Sequence, residues 1–207
     1  MKVLLVNGSP NKEGCTYTAL REIAGVLNKN GIKNEIFHIG TAPISGCLAC
    51  GACFKSGKCA IGDCVNNFVV KAKKTNGFIF GSPVHFASAT GSLTAFMDRA
   101  FFSGMRGVFR GKPAAAIVSC RRGGATSSFD QLNKYFSISQ MPIVTSQYWN
   151  MVHGFTPEDV KKDLEGLQTM RTLGNNMAWL LKCIKAGKDS GVDLPELEKR
   201  VNTNFIR

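Results

Sequence analysis

Five short apolar runs, rich in β-branched or aromatic residues, alternate with stretches long enough to hold helices: Val3 to Val6, Glu35 to Ile39, Phe78 to Phe80, Ala114 to Val118 and Pro142 to Val144. A run that is apolar on both faces suits a strand buried between two layers, and strand–helix alternation joins such strands in parallel. The pattern predicts an α/β fold, a doubly wound parallel sheet with helices on both faces. With 207 residues the chain can bury one sizeable core, and a single domain over 1–207 is expected.

Helices are predicted from Thr16 to Asn30, Asn66 to Lys74, Ser92 to Phe101 and Ser128 to Phe136. In the first, Leu20, Ile23, Ala24 and Leu27 recur at helical spacing, and Gly31 stands where a C-terminal glycine cap belongs. A longer helix is expected after Thr156-Pro157-Glu158, where Thr can cap and Pro can take the first helical position. Its stripe of Val160, Leu164, Leu167, Met170, Leu173 and Met177 reads as core or subunit interface, and makes 156–207 a C-terminal helical extension. Residues 44–64 break the alternation. They are rich in Gly, Cys and small side chains without periodicity, and read as an inserted functional loop.

No apolar stretch approaches the roughly 18 residues of a membrane span, and MKVLLVNGSP turns too early for a signal peptide. A cytoplasmic protein without membrane contact is expected. The formal charge of +12 favours anionic partners such as a phosphorylated cofactor or an acidic electron carrier. The Lys and Arg residues are scattered and form no recognised nucleic-acid module, so nucleic acid is not an expected partner.

In VLLVNGSPNKEGCTYTAL, an apolar strand runs into Gly8, Ser9 and Pro10, and a helix opens near Thr16. Such a turn aims backbone N–H groups and hydroxyls at a helix N-terminus, where the macrodipole favours a phosphate. Spacing excludes both the dinucleotide fingerprint and the Walker loop, because Gly8 is followed by Ser9 and Pro10, and Gly14 by Cys15. A mononucleotide phosphate fits better, with Ser9, Asn11, Thr16 and the amides near Gly14 and Cys15 as the cradle. An ordinary strand-turn-helix corner with Thr16 as cap is the competing reading.

Eight cysteines include five between Cys47 and Cys64, and without a secretory segment metal or redox chemistry suits them better than disulfides. In Cys47-x2-Cys50-x2-Cys53-x5-Cys59, three thiols on a tight loop can each reach a different iron of a cubane cluster and Cys59 can return to the fourth. Gly46, Gly51 and Gly57 permit the turns. A simple ferredoxin is excluded, since its last spacing is shorter and Pro follows, whereas Ala60 follows here. A zinc ion, a dithiol switch among Cys50, Cys53 and Cys64, and a metal-free loop lining a cofactor pocket remain alternatives. Cys15, Cys120 and Cys183 read as buried or half-buried thiols.

GFIFGSPVHFASATGSLTAFMDRAF places Gly81, Ser82 and Pro83 beyond a strand end, and IVSCRRGGATSSF repeats the arrangement at the fourth strand. With the first loop, these segments resemble the NADPH-dependent FMN reductase group of flavodoxin-like proteins, over residues 1–150 and more loosely at YWNMVHG, 148–154. The resemblance implies a three-layer fold whose five-stranded parallel sheet has the order 2-1-3-4-5, and an FMN cofactor. It implies flavin contacts from Pro83, Val84, His85, Phe86 and Ala87, and on the far side from Ser119, Arg121, Arg122, Gly123 and Gly124. Glycines let backbone approach a flat ring, and Arg can face flavin oxygens. His85 reads as packing or stacking, since hydride chemistry belongs mainly to the flavin.

The compact cysteine pattern resembles the iron–sulfur flavoproteins, a branch of that group with FMN and a 4Fe-4S cluster in one chain. The implied ligands are Cys47, Cys50, Cys53 and Cys59. The implied activity is an FMN-dependent oxidoreductase passing electrons between NAD(P)H or a ferredoxin-like donor and an acceptor, without a protein nucleophile. A homodimer or homotetramer is implied as well. The rivals are a cluster-free NAD(P)H-dependent FMN, quinone or nitro-compound reductase, and a non-enzymatic electron carrier.

Overall fold

The computed structural model describes residues 1–105, 107–199 and 201–203. In chain order its elements are β1 (Lys2–Asn7), α1 (Cys15–Lys29), β2 (Lys33–His38), α2 (Ala52–Ser56), α3 (Cys64–Lys73), β3 (Gly77–His85), β4 (Ser88–Ala89), α4 (Gly91–Gly104), β5 (Ala114–Cys120), α5 (Ala125–Ile138), β6 (Met151–His153), α6 (Pro157–Lys162) and α7 (Leu164–Asp189). Five strands pair in parallel in the order β2-β1-β3-β5-β6, which is the predicted 2-1-3-4-5. The two-residue β4 folds back antiparallel on the end of β3.

Because side chains alternate along a strand, the central strands feed two cores. Leu4, Val6, Phe78 and Phe80 pack with Phe68 of α3, Phe96 of α4 and Phe136 of α5. Val3, Leu5, Ile79 and Ile117 face the opposite way, onto Leu20 and Ile23 of α1 and Met170, Leu173 and Met177 of α7. Phe68 is the hub of the first core, its ring 5.0 to 6.4 Å from those of Phe37, Phe78, Phe80, Phe96 and Phe109. Truncating such a buried ring to Ala costs about 3–5 kcal/mol.

Several expectations need correction. Residues 142–144 make only a bridge, Ala114 to Ile143, and the fifth strand is Met151–His153, paired with Val118–Cys120. Pro142 offers its carbonyl to Ala114 N at 2.9 Å but has no N–H with which to extend a ladder. The chain then loops out through a polar stretch, and the buried Asn150 repairs the interrupted edge by donating Nδ2 to Ala116 O at 3.0 Å. The long helix after Thr156 is two helices. Thr156 and Asp159 form a capping box for α6, and Asp163 leaves helical geometry to cap α7, accepting from Gly166 N at 2.9 Å. Finally, the cysteine segment carries the short α2, and Cys64 opens α3 behind an Asp63 cap.

The α7 stripe is core where Met170, Leu173 and Met177 are buried, but Leu164 is exposed. Cys183 is also exposed, on the outer side of α7, contrary to the expected burial. Residues 190–199 and 201–203 carry no helix, so the predicted helical extension ends at Asp189, while 204–207 lie outside the described residues. Among the described residues no helix is long and apolar enough to cross a membrane.

Candidate functional site

The loops after β1, β3 and β5 meet beyond the carboxyl ends of the strands, where open α/β sheets place their ligands. The first loop is shaped by short polar links. Asn7 donates Nδ2 to Lys12 O at 3.0 Å and accepts from Ser9 N at 3.1 Å, and Asn11 N donates to Ser9 Oγ at 3.1 Å. His38 Nε2 lies 2.8 Å from Ser9 O and ties the end of β2 to the same loop. Gly14 then starts α1 with no side-chain capping bond and no acidic residue in the first turn. The first N–H groups of a 15-residue helix are therefore left to an external acceptor, and the dipole favours an anion there.

Thr16 and Ser119 are buried and share a hydroxyl–hydroxyl bond of 2.8 Å, joining α1 to the end of β5. The β3–β4 hairpin turns on Phe86 and Ala87, whose φ angles of +51° and +57° are left-handed. Gly124, at φ +90°, brings the 121–124 loop so close that a Cβ there would stand 2.5 Å from Ala87 Cα. Ser127 Oγ adds a bond to Ala87 O. Pro83 and Val84 are half-buried, whereas His85, Phe86, Ala87, Arg121, Arg122, Gly123 and Asn11 are exposed along the rim. Cys15 reaches from α1 to Gly154 O beyond β6, at 3.7 Å, and burial pushes its thiol up. The loops that the sequence singled out separately thus touch one another.

A separate recess of about 230 Å³ opens at the loop between β2 and α3 and is lined by Cys47, Cys50, Cys53 and Cys59. Its remaining wall includes Leu48, Phe54 and Phe102, so the surface is mostly apolar. All four thiols are free, Cys47 and Cys50 exposed and Cys53 and Cys59 half-buried. Ala49 at φ +50° and Gly51 at φ +69° turn the backbone between them. Beneath the recess lies Arg99 of α4, its side chain fully buried. It grips Asp63 with two bonds of 2.6 and 2.9 Å, donates to Ser45 O and Ile61 O, and donates Nε to Cys59 Sγ at 3.2 Å. Asn66 holds the Cys59 backbone from the other side, accepting from its N at 2.9 Å and donating to its O at 3.0 Å. Burial would raise the Asp63 carboxyl, but the bonds from Arg99 and Val65 N outweigh it and hold the group below the usual aspartate range.

The family described as NADPH-dependent FMN reductase matches residues 1–156, a span that contains both sites. The chain belongs to that family. An iron–sulfur flavoprotein of Methanocaldococcus jannaschii is 34% identical over 89% of this chain and 100% of its own length. An iron–sulfur flavoprotein of Archaeoglobus fulgidus is 29% identical over 92% of this chain and 100% of its own. A solved flavodoxin from the domain Archaea superposes with a TM-score of 0.59 at 15% identity, over 88% of this chain and 99% of that one, which shows the shared flavodoxin-like fold. This member of the FMN reductase family is accordingly an FMN-dependent oxidoreductase.

The residues present in this FMN reductase-family chain suit the flavin. An uncapped helix start beside Ser9 and Asn11 fits a phosphomonoester, and rim loops whose backbone approaches closely fit a flat ring. The donor set of the recess, four thiols and no carboxylate, suits a thiophilic metal or an iron–sulfur cluster. Among the described residues, however, no three His, Cys, Asp or Glu side chains are already gathered at metal-holding distance.

Arg99, Asp63 and Asn66 escaped the sequence reading. The signal was present in SLTAFMDRAFF, where Arg99 stands three residues after Phe96 on the buried face of an apolar helix. A cation on such a face requires a partner.

Proposed function

We propose that this chain binds FMN in the crevice and a 4Fe-4S cluster through Cys47, Cys50, Cys53 and Cys59, and passes electrons between NAD(P)H or a ferredoxin-like donor and an acceptor. The carrying observation is that those four free thiols line one mostly apolar recess at the same sheet edge as the loops proposed for the flavin. The names of the two archaeal relatives support the same reading.

FMN supplies the interchange of paired and single electrons, and a cluster supplies single-electron relay. The chain's part is to hold and tune them. Ser9, Asn11 and the α1 amides bind the phosphate, while Thr16, bonded to Ser119, fixes the helix start against β5. Residues 83–87 and 119–124 flank the ring, with Arg121 and Arg122 facing its electron-rich edge. Cys59 is held in advance, whereas Cys47 and Cys50 stand exposed and would be drawn to a bound metal, because metal binding and local folding are coupled. Exposed Lys55 and Lys58 beside the recess suit an acidic protein donor, whose reduction rate then falls with salt. Assembly as a homodimer or homotetramer completes the proposal and is read by light scattering.

One observation favours the cluster-free reductase: the thiols are not pre-gathered. The deciding experiment is an absorption spectrum with iron and sulfide assay on protein purified without oxygen. Flavin bands with about four irons per chain support the two-cofactor reading. Flavin without iron, with NAD(P)H turnover intact, replaces it with the cluster-free reductase. Reduction by an acidic protein donor with no NAD(P)H oxidation points to a carrier.

A further inference from the structure

We infer that Arg99 is a positioning residue for the metal centre: it presets Cys59 as a ligand and, through its Nε–H bond to Cys59 Sγ, makes the bound cluster easier to reduce. The inference rests on the four-cysteine cluster reading above.

The starting point is an uneconomical burial. Arg99 is 1% exposed on a mostly apolar face of α4, flanked along that face by Phe96 and Ala100. A buried guanidinium persists only where its donors are met, and here every partner belongs to the cysteine segment or its end. Asp63 takes the bidentate grip, Ser45 and Ile61 offer carbonyls, and Cys59 offers its sulfur at 3.2 Å. Ser45 precedes the first cysteine and Ile61 follows the last, so one side chain pins both ends of the motif. Asp63 also caps α3 through Val65 N at 3.0 Å, which anchors the grip to the core helices. Asp63 and the two carbonyls meet the four terminal N–H donors, and the fifth donor, Nε–H, is met by a cysteine sulfur and by no oxygen.

That feature has a chemical consequence. A thiolate that accepts an N–H bond gives less charge to the iron, and a buried cation nearby favours the extra electron of the reduced state. Both effects act in one direction and raise the cluster potential. Among the described residues Cys59 is the one of the four cysteines whose sulfur accepts an N–H bond; Cys47 and Cys50 stand exposed and Cys53 is half-buried. The centre is therefore asymmetric. Its Cys59 corner is built beforehand and electrostatically biased, and the other corners follow.

The test uses the intact protein purified without oxygen, its arginines labelled with nitrogen-15. Pulsed electron paramagnetic resonance of the reduced protein is expected to show nitrogen-15 coupling to the cluster, a readout independent of turnover. Arg99→Lys keeps the cation for Asp63 but removes the Nε–H donor. With FMN content unchanged as the measure of fold, it is expected to shift the one-electron equilibrium about tenfold toward the oxidised cluster, about 59 mV, and to lose iron faster in air. A wild-type protein that carries four irons yet shows no nitrogen-15 coupling overturns the inference while leaving the cluster reading intact. So does an Arg99→Lys protein with wild-type potential and iron-loss rate. A wild-type protein without iron overturns the cluster reading itself. If Arg99→Lys loses flavin as well, the labelled wild type alone decides.

Discussion

The crevice proposed for the flavin and the cysteine recess lie at the same edge of one sheet, yet their polar groups are satisfied in different ways. In the crevice, hydroxyls and amides are paired within and between loops: Thr16 with Ser119, Ser9 with Asn7 and Asn11, Thr90 with Gly8. In the recess, only the half nearest α3 and α4 is tied, through Arg99, Asp63 and Asn66, while Cys47 and Cys50 stand exposed. A small organic cofactor needs a cavity that exists before it arrives, and preorganised loops lower the ordering cost of binding. A multi-ligand metal centre can itself supply the free energy that orders its loop. The difference between neighbouring regions follows from what each would hold.

The largest expected effect comes from breaking the tied half of the recess. Asp63→Asn keeps an oxygen for the α3 cap but leaves Arg99 as a buried, uncompensated cation, and is expected to destabilise the protein by about 3 kcal/mol in denaturant unfolding. A cost below about 1 kcal/mol would mean that water or other carbonyls satisfy Arg99, and that the recess is no better tied than its open half. The pH dependence has a definite sign. The Asp63 carboxyl is held below its ordinary value, so its contribution is full above about pH 3.9 and is lost as pH falls through the lower folded-state value. Wild-type stability is therefore expected to fall more steeply than that of Asp63→Asn below about pH 4.

Next in size is the crevice pair. Thr16→Val leaves Ser119 Oγ buried without its partner and is expected to cost about 2 kcal/mol. Ser119→Ala added to it should cost less than the sum of the two singles, with a coupling of about 1 kcal/mol. Strict additivity in thermal unfolding would show that the crevice is not prebuilt at this point.

Much of this arrangement was legible. Apolar runs at β1, β3 and β5 are buried on both faces, so they read as parallel strands without help from context. The first strand-turn-helix corner was legible because every part of it is local: strand, Gly-Ser-Pro turn and helix start fall within residues 3–16. The last strand was not, because Met151–His153 has three residues and its edge is completed by a side chain, Asn150, which carries no periodicity. Nor was the Arg99 grip. Its carboxylate lies 36 positions away in sequence, and no pattern within either segment names the other. Spacing exposed the cysteines, but it could not reveal that one of the four is held and two are open.

A third effect is smaller and falls on binding. In Gly124→Ala the new methyl meets Ala87 Cα and a left-handed backbone becomes strained, so the 83–87 hairpin must shift. FMN affinity is expected to fall about tenfold, or about 1.4 kcal/mol, in fluorescence titration. The folded chain is also expected to lose about 1–2 kcal/mol, because Ala disfavours the left-handed backbone at this position. Unchanged affinity would place the flavin away from this contact and leave the crevice without its proposed occupant.

The smallest effect has the opposite sign. Phe86 and Ala87 both hold positive φ in a two-residue hairpin turn, where Gly is the usual choice and a left-handed residue costs roughly 1–2 kcal/mol. Ala87→Gly removes that strain but also frees the unfolded chain, which takes back roughly 0.4–1 kcal/mol. The net expectation is a gain of about 0.5 kcal/mol in stability with weaker FMN binding, since the hairpin proposed to flank the ring becomes less fixed. Measured together, the two quantities separate strain kept for binding from strain of no consequence. A more stable protein with unchanged affinity would show that the crevice, like the open half of the recess, is shaped by its cofactor and not in advance of it.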